Sequence, residues 1–385
     1  MVDRVYLDWN ATTPLREEAR RAIGGALDLP GNASSVHAEG REARKWIERA
    51  RGEVAAAVGA QPRNVVFTSG GTEANVLALA PGLRRDGAPA VERLVVSAVE
   101  HASVLSGGRF PQGPVASIRA SRAGVVDLDH LCDLLRGGPP ALVSIMLANN
   151  ETGAIQPIED AAGIVHEARG LLHVDAVQAF GKIRFDMRGL AADLLTVSAH
   201  KIGGPKGVGA LVLSEGLSGP EPLLRGGGQE LSRRAGTENV AGIAGFGAAA
   251  AAAMVGLSAE AARIEALRNR LENSLRQTRG AVIFADSARR LPNTTLFTVP
   301  GLRAETAVIG FDLAGVAVSS GSACSSGKVQ PSHVLQAMGF DGGIAQGAVR
   351  LSMGWSTQDA DVDSCLEAWR SLAGRLLKDQ RRNTG

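Results

Sequence analysis

Residues 171–209 read LLHVDAVQAFGKIRFDMRGLAADLLTVSAHKIGGPKGVG. Two apolar runs in it, LLHVDA and LLTVSA, have the length of buried strands, and each gives way to polar and turn-forming residues. Runs of the same kind stand on either side: VVFT at 65–68, LVVS at 94–97, LVSIML at 142–147 and GALVL at 209–213. Helix-like stretches lie between most of them. Strands that alternate with helical segments need crossover connections, which build a mainly parallel sheet covered on both faces. The sequence therefore predicts an α/β domain. In such a sheet the ligand lies beyond the carboxyl ends of the strands, so the residues just after each run carry the most information.

Downstream the pattern changes. Ser258 is placed to cap a helix whose Ile264, Leu267, Leu271 and Leu275 recur at three- and four-residue intervals. After it come a strand-like TTLFTV, a Gly/Ser-rich loop at 319–327 and an amphipathic terminal helix. This predicts a larger domain over 15–255 and a smaller α+β domain formed by 1–14 and 256–385. The uncharged stretch 240–259 has the length of a membrane span, yet nine of its 20 residues are Ala and four are Gly, which predicts a closely packed core helix.

The 385 residues carry 41 Lys and Arg against 39 Asp and Glu, a net charge of +2 that excludes the cationic excess of a nucleic-acid binder. Three cysteines form no disulfide framework, and the opening MVDRVYLDWN holds charges where a secretory signal needs an apolar run, so the expectation is a cytoplasmic protein. Neither a membrane nor a metal enters the reading. Cys132 and Cys365 fall in helical patterns with Leu neighbours and are expected to be buried.

Chemistry gathers at the strand ends. VVFT runs into SGGTEAN, where Gly70, Gly71 and Thr72 stand at a helix start with free backbone N–H groups; this is either a phosphate cradle or an ordinary helix N-terminus. It lacks the Lys of a nucleotide P-loop. Only six lysines occur, Lys45, Lys182, Lys201, Lys206, Lys328 and Lys378, so each placement is informative. Lys201 follows LLTVSA within SAHKIGGPKG and can form a Schiff base with an aldehyde cofactor, while Ser198 and His200 can donate to that cofactor's phosphate. Asp175 ends LLHVD with Gln178 three residues on, and a carboxylate buried there needs a cation such as the protonated ring nitrogen of pyridoxal phosphate. Cys324 sits in SSGSACSSG, too small and flexible a run to pack as core, with Lys328 nearby; that is the setting of a reactive thiolate.

With YLDWNATTP, GNASSVHAEGREAR, TSGGTEAN, VEHASV, NNETGAIQPI, HVDAVQAFGKI, SAHKIGGPKGVGAL, RRAGTENV, SSGSACSSGK and RLSMGW, the chain resembles the cysteine desulfurases of the nitrogen-fixation and iron–sulfur-assembly type over essentially its whole length. These are class V aminotransferases with the aspartate-aminotransferase-like fold type I. The resemblance implies pyridoxal 5'-phosphate as cofactor, Lys201 as Schiff-base lysine and Cys324 as the persulfide-forming cysteine. It implies His101, Asp175 and Gln178 against the cofactor ring, with His101 also in proton transfer. Gly71, Thr72, Ser198 and His200 would hold the phosphate, joined by Thr237 from the second subunit of a homodimer. Asn150, also a cofactor contact, and Arg350 would hold the substrate carboxylate.

The implied reaction converts L-cysteine to L-alanine and leaves sulfur on Cys324 for an iron–sulfur scaffold or sulfur-carrier protein. Two alternatives stand beside it: selenocysteine lysis or another lyase or aminotransferase reaction on the same cofactor, and a non-catalytic interaction protein that binds sulfur acceptors. Three departures from the family pattern remove no chemical group. Trp9 replaces a small polar residue, with a consequence expected at the site entrance or a partner contact. Ala33 replaces a common Pro, and Leu231 and Ser232 interrupt a basic stretch.

Overall fold

The computed structural model describes residues 4–111, 113, 116–321 and 331–383, with side chains through residue 374. Cys324 and Lys328 lie outside the described residues. Strand β1 (Val5–Tyr6) precedes helices α1 (Glu17–Leu27) and α2 (Ala38–Ala57). Strands and helices then alternate: β2 (Val65–Thr68), α3 (Gly71–Ala78), β3 (Arg93–Ser97), α4 (Ala102–Leu105), β4 (Ala116–Ile118), α5 (Leu128–Leu135), β5 (Ala141–Ser144), α6 (Ile158–Glu167), β6 (Leu171–Asp175), β7 (Leu194–Ser198) and β8 (Gly209–Leu213). Helices α7 (Val240–Met254) and α8 (Leu257–Leu275) follow. The remainder comprises β9 (Val282–Ile283), β10 (Thr294–Thr298), α9 (Ala304–Leu313), β11 (Val316–Ala317), β12 (Ser319–Ser320), α10 (His333–Ala337), α11 (Gly342–Gln346), β13 (Val349–Ser352) and α12 (Asp359–Asn383).

The central sheet has the order β2-β8-β7-β6-β5-β3-β4, and β8 alone runs against its neighbours. Its strands are apolar on both faces because both faces are covered. Val95, Val143, Leu172, Val174, Leu195 and Val197 point into one core, while the alternate Leu94, Val96, Leu142, Leu171 and Leu194 point into another. The run 142–147 is strand only to Ser144, although Ile145 and Leu147 still donate their N–H groups to His173 O and Asp175 O.

The Ala/Gly-rich stretch forms α7, which packs on α1 and α2. A Cβ on Gly247 would lie 2.5 Å from Ala50 Cα and one on Gly245 2.6 Å from Ile23 Cγ1, so small residues are what let these helices approach. Among the described residues no single helix is long and apolar enough to cross a membrane. The chain leaves α7 through Val255 and Gly256, and Gly256, left-handed at φ 65°, is the N-cap of α8. Ser258 is therefore inside the helix rather than its cap, and its hydroxyl accepts from Arg184 Nε at 2.9 Å. Cys132 also departs from expectation: Leu131 and Leu135 take the buried face of α5 and leave Cys132 exposed on the other, whereas Cys365 in α12 is buried.

A separate core gathers the C-terminal elements. Ile264, Leu267, Leu271 and Leu275 of α8 join Phe297, Phe311 and Trp369, with Val5 and Leu7 from the start of the chain. Here an antiparallel sheet of order β12-β13-β10-β9 lies beside the parallel pair β1-β11, and Asp8 forms a parallel bridge with Ser352. Trp9 is wedged in this region. It is 2 % exposed, meets Trp355 edge-on at 4.6 Å between centroids and lies where any Cβ on Gly354 would stand. It is a packing residue, too buried to offer a surface to a partner, and it lines a small cavity that also reaches Lys182 and Lys201.

Leu231 and Ser232 follow Glu230 in a rare run of three left-handed residues, with φ of 49°, 56° and 62°. The run is held by Glu230, whose buried carboxylate accepts from Arg51 Nη1 at 2.7 Å, Arg51 Nη2 at 2.8 Å and Phe67 N at 2.9 Å. Replacing Glu230 by Ala takes the two-pronged acceptor from the buried Arg51 guanidinium, which keeps Glu48 and Val65 O, and about 3 kcal/mol of stability should be lost. Urea unfolding should show this as a lower midpoint at unchanged slope; an unmoved midpoint would mean that the pair does not hold the segment.

Candidate active site

Five strands deliver residues to one edge of the central sheet. Gly71 and Thr72 follow β2, His101 follows β3, Asn150 follows β5, Asp175 ends β6, and Ser198, His200 and Lys201 follow or end β7. These eight, with Asn75, Ser103 and Gln178, line one cavity of about 230 Å³.

The cavity floor is a chain of hydrogen bonds. Asp175 Oδ1 accepts from Val177 N at 3.0 Å and Oδ2 from Asn75 Nδ2 at 2.8 Å. Asn75 Nδ2 also donates to Ser103 Oγ at 2.9 Å, and Ser103 Oγ meets His101 Nδ1 at 2.8 Å. Asp175 thus stands as an oriented acceptor at the strand end. Burial lowers the pKa of His101; Asp175 opposes this, and Lys201 and His333 add to it. Burial likewise brings His200 down to about 4, helped by Lys201, Lys206 and Lys182, so its imidazole is neutral at pH 7.

Lys201 reaches across to the N-terminal segment, where its Nζ donates to Asn10 O at 2.5 Å and Ala11 O at 2.8 Å. Burial brings its pKa down to about 8, Arg350 adds to the shift, and Asp8 and Asp175 oppose it. That is the range in which an amine both binds a proton and releases it near neutral pH. Arg350, 5 % exposed on β13, donates from Nη2 to Asp8 Oδ1 at 2.8 Å and from Nη1 to Asn150 O at 3.1 Å. It stands behind Asn150 and is not among the residues that line the cavity.

Thr237 is placed elsewhere. It lines a second cavity of about 250 Å³ with Glu230, Arg234 and Asn239. Residues not singled out in the sequence also belong to the site. Asn75 stands one helical turn after Gly71 in the quoted SGGTEAN, and that spacing is the signal that could have found it. Lys182 follows Gln178 by four residues and donates to Gln178 Oε1 at 2.7 Å. Glu100, adjacent to His101 and fully buried, accepts from Met146 N through Oε1, and burial and Asp175 raise its pKa well above the usual carboxylate value. Glu151 is pushed up to about 7 by burial, against Ser332 and Arg350, and its Oε2 accepts from Ser332 Oγ at 2.5 Å.

These residues fit pyridoxal phosphate. Ser198 Oγ is buried with no partner among the described residues and lines the cavity, a donor in want of an acceptor. Gly71 opens α3 and lines the cavity with Thr72, and an ideal Cβ on it would lie 3.0 Å from Val177 Cγ2, so the helix start meets the cavity with no side chain at Gly71 in between.

Comparison with known proteins bears on the same point. Residues 5–365 match the family model of class V aminotransferases. A cysteine desulfurase from Cereibacter sphaeroides is 41% identical over 382 residues, covering 97% of each chain. The cysteine desulfurase IscS of Dictyoglomus turgidum is 40% identical, covering 98% of this chain and 96% of its own. Among solved structures, a NifS-like protein from Rickettsia africae superimposes with a TM-score of 0.87 at 37% identity, covering 96% of this chain and 99% of that one.

Borohydride reduction of the protein loaded with pyridoxal phosphate, followed by peptide mapping, should place the label on Lys201. Other amines in the neighbourhood among the described residues are Lys182 and Lys206, and a label on either would move the covalent attachment point away from Lys201.

Proposed function

The chain belongs to the class V aminotransferases and is a pyridoxal-phosphate-dependent cysteine desulfurase, and from that premise we propose how its own residues divide the work. Bound pyridoxal phosphate supplies an aldehyde for Lys201 and a conjugated ring that accepts electrons from the substrate Cα. Gly71, Thr72, Ser198 and neutral His200 would hold its phosphate, and Asp175, aligned by Asn75 and Val177 N, would hold a proton on its ring nitrogen. His101 would serve proton transfer beside the ring, and Gln178 would donate to it.

Free L-cysteine binds through its carboxylate to Asn150 and Arg350, whose planar fork suits two carboxylate oxygens. The Lys201 amine would take the Cα proton as general base, a role suited to its pKa near 8. The Cys324 thiolate then attacks the substrate sulfur. One sulfur–sulfur bond forms and the substrate carbon–sulfur bond breaks, its electron pair staying with the carbon fragment, which takes up a proton and leaves as L-alanine. No outside oxidant is needed.

The persulfide on Cys324 passes to an acceptor protein, an iron–sulfur scaffold or a sulfur carrier. The enzyme works as a homodimer in the cytoplasm; Thr237, away from this chain's own cavity, is free to serve the second subunit's phosphate site. Carrying the whole reading is one observation: Asp175, Lys201 and the unpartnered Ser198 hydroxyl face the same cavity from adjacent strand ends.

Two experiments test it. Cys324→Ala should still change the cofactor spectrum on mixing with L-cysteine while alanine release falls by at least ~1000-fold, the scale of losing a covalent nucleophile. Cys132→Ala and Cys365→Ala should match the parent. Stopped-flow absorbance paired with alanine quantification decides the matter, and near-parental turnover by Cys324→Ala would leave a lyase without persulfide in its place. Arg350→Lys should raise KM for L-cysteine by roughly 10- to 100-fold, because one point charge replaces two aligned donors, with cofactor absorbance retained. An unchanged KM would remove Arg350 from the carboxylate site.

A further inference from the structure

Lys182 takes no part in the chemistry above, yet it stands at the centre of the contacts behind the cofactor cavity. Its Nζ donates to Gln178 Oε1 at 2.7 Å and to Asn10 Oδ1 at 3.0 Å. Gln178 Nε2 donates to Asn10 O at 3.0 Å. These two neighbours allow the Gln178 amide only one orientation, since a lysine amine in this position donates and a backbone carbonyl only accepts. One N–H of Nε2 is then left over, on a side chain that lines the cavity.

Asn10 is fixed by the same logic. Its Oδ1 takes Lys182 and Asn293 Nδ2, the latter at 3.0 Å, so its Nδ2 must serve Thr294 Oγ1 at 2.9 Å and Asn150 O at 3.2 Å. On the carbonyl of this residue rests the amine of Lys201.

We infer that Lys182 is a positioning residue of the cofactor seat: it locks the Gln178 amide so that its remaining N–H is offered to an acceptor oxygen of the pyridoxal ring, and it locks Asn10, on whose carbonyl Lys201 rests. The inference rests on the seat proposed above. It holds in either protonation state of Lys182. Burial lowers that pKa well below the ordinary lysine value, with Lys201 and Arg350 adding to it, and both the ammonium and the neutral amine keep two N–H groups for Gln178 and Asn10.

The test is a pH titration of the visible absorbance of the bound cofactor, without substrate, in the parent, Lys182→Met and Lys182→Arg holoenzymes. The chromophore includes Lys201 itself, and the ionisable groups that face it, His200, Asp175, His101, Asp8 and Arg350, are common to all three. A donor on the ring oxygen and a nearby positive charge both favour the deprotonated chromophore. Loss of Lys182 frees Gln178 to turn its carbonyl toward the ring and removes whatever charge Lys182 carries, so the midpoint should rise by about one pH unit, the scale of one lost hydrogen bond. Lys182→Arg, which keeps donors for both oxygens, should recover at least half of the shift. A merely structural lysine would lower thermal stability and leave the midpoint alone. Should Lys182→Met fail to fold, Lys182→Gln, with one amide to serve two acceptors, gives the same reading. A parent with its visible band and a substituted protein whose midpoint does not move overturns the inference alone; a parent without the band overturns the seat and this inference together.

Discussion

Cationic side chains crowd one seam of this protein, and water is largely kept from it. Lys201 and Arg350 lie near enough to depress the proton affinity of Lys182, Arg350 does the same to Lys201, and the carboxylates that oppose the shift of Lys201 are Asp8 and Asp175. Taking such charges out of water is costly unless each finds a partner. Much of the local structure is an answer to that cost. The N-terminal segment lays the carbonyls of Asn10 and Ala11 on Lys201 and the carboxylate of Asp8 on Arg350, and the amides of Asn10 and Gln178 absorb Lys182. The central sheet sets the remaining terms, because β6 and β7 are parallel neighbours and so end side by side with Asp175 and Lys201 at the same edge.

The same edge explains why so much was legible in the sequence. A buried parallel strand announces itself as a continuous apolar run, and the first polar residue after it marks the ligand side. Asp175, Ser198, His200 and Lys201 could be found this way from two runs, and Gly71 and Thr72 from a third. What stayed hidden depends on pairing across long stretches of chain. Nothing local says that Lys182 would meet Asn10, 172 residues earlier, or that Glu151 would meet Ser332, 181 residues later. Cys132 and Ser258 were misread for a different reason. Helical periodicity fixes which residues share a face but not the starting turn, and at Gly256 a left-handed residue begins the helix earlier than the serine suggests.

Trp9 shows how a large side chain is accommodated in the seam. Room for its indole exists because Gly354 has no side chain; Trp355 supplies an aromatic edge, and Arg16 lies over the Trp355 ring at 3.8 Å. The indole N–H is satisfied by Tyr6 O at 2.9 Å.

The pairing of the first strand with the last part of the chain also governs when the enzyme comes into being. Asp8 and Asn10 are synthesised long before their partners, for Asp8 bridges Ser352 and binds Arg350, and Asn10 N donates to Ser352 Oγ. At ~5–20 residues per second, the 344 positions between residues 8 and 352 take roughly 20 to 70 s to synthesise. Until then the amine of Lys201 has no settled perch and Arg350 does not exist. A nascent chain therefore carries every strand of its central sheet before its chemistry is complete, and competence waits for residues 350–352.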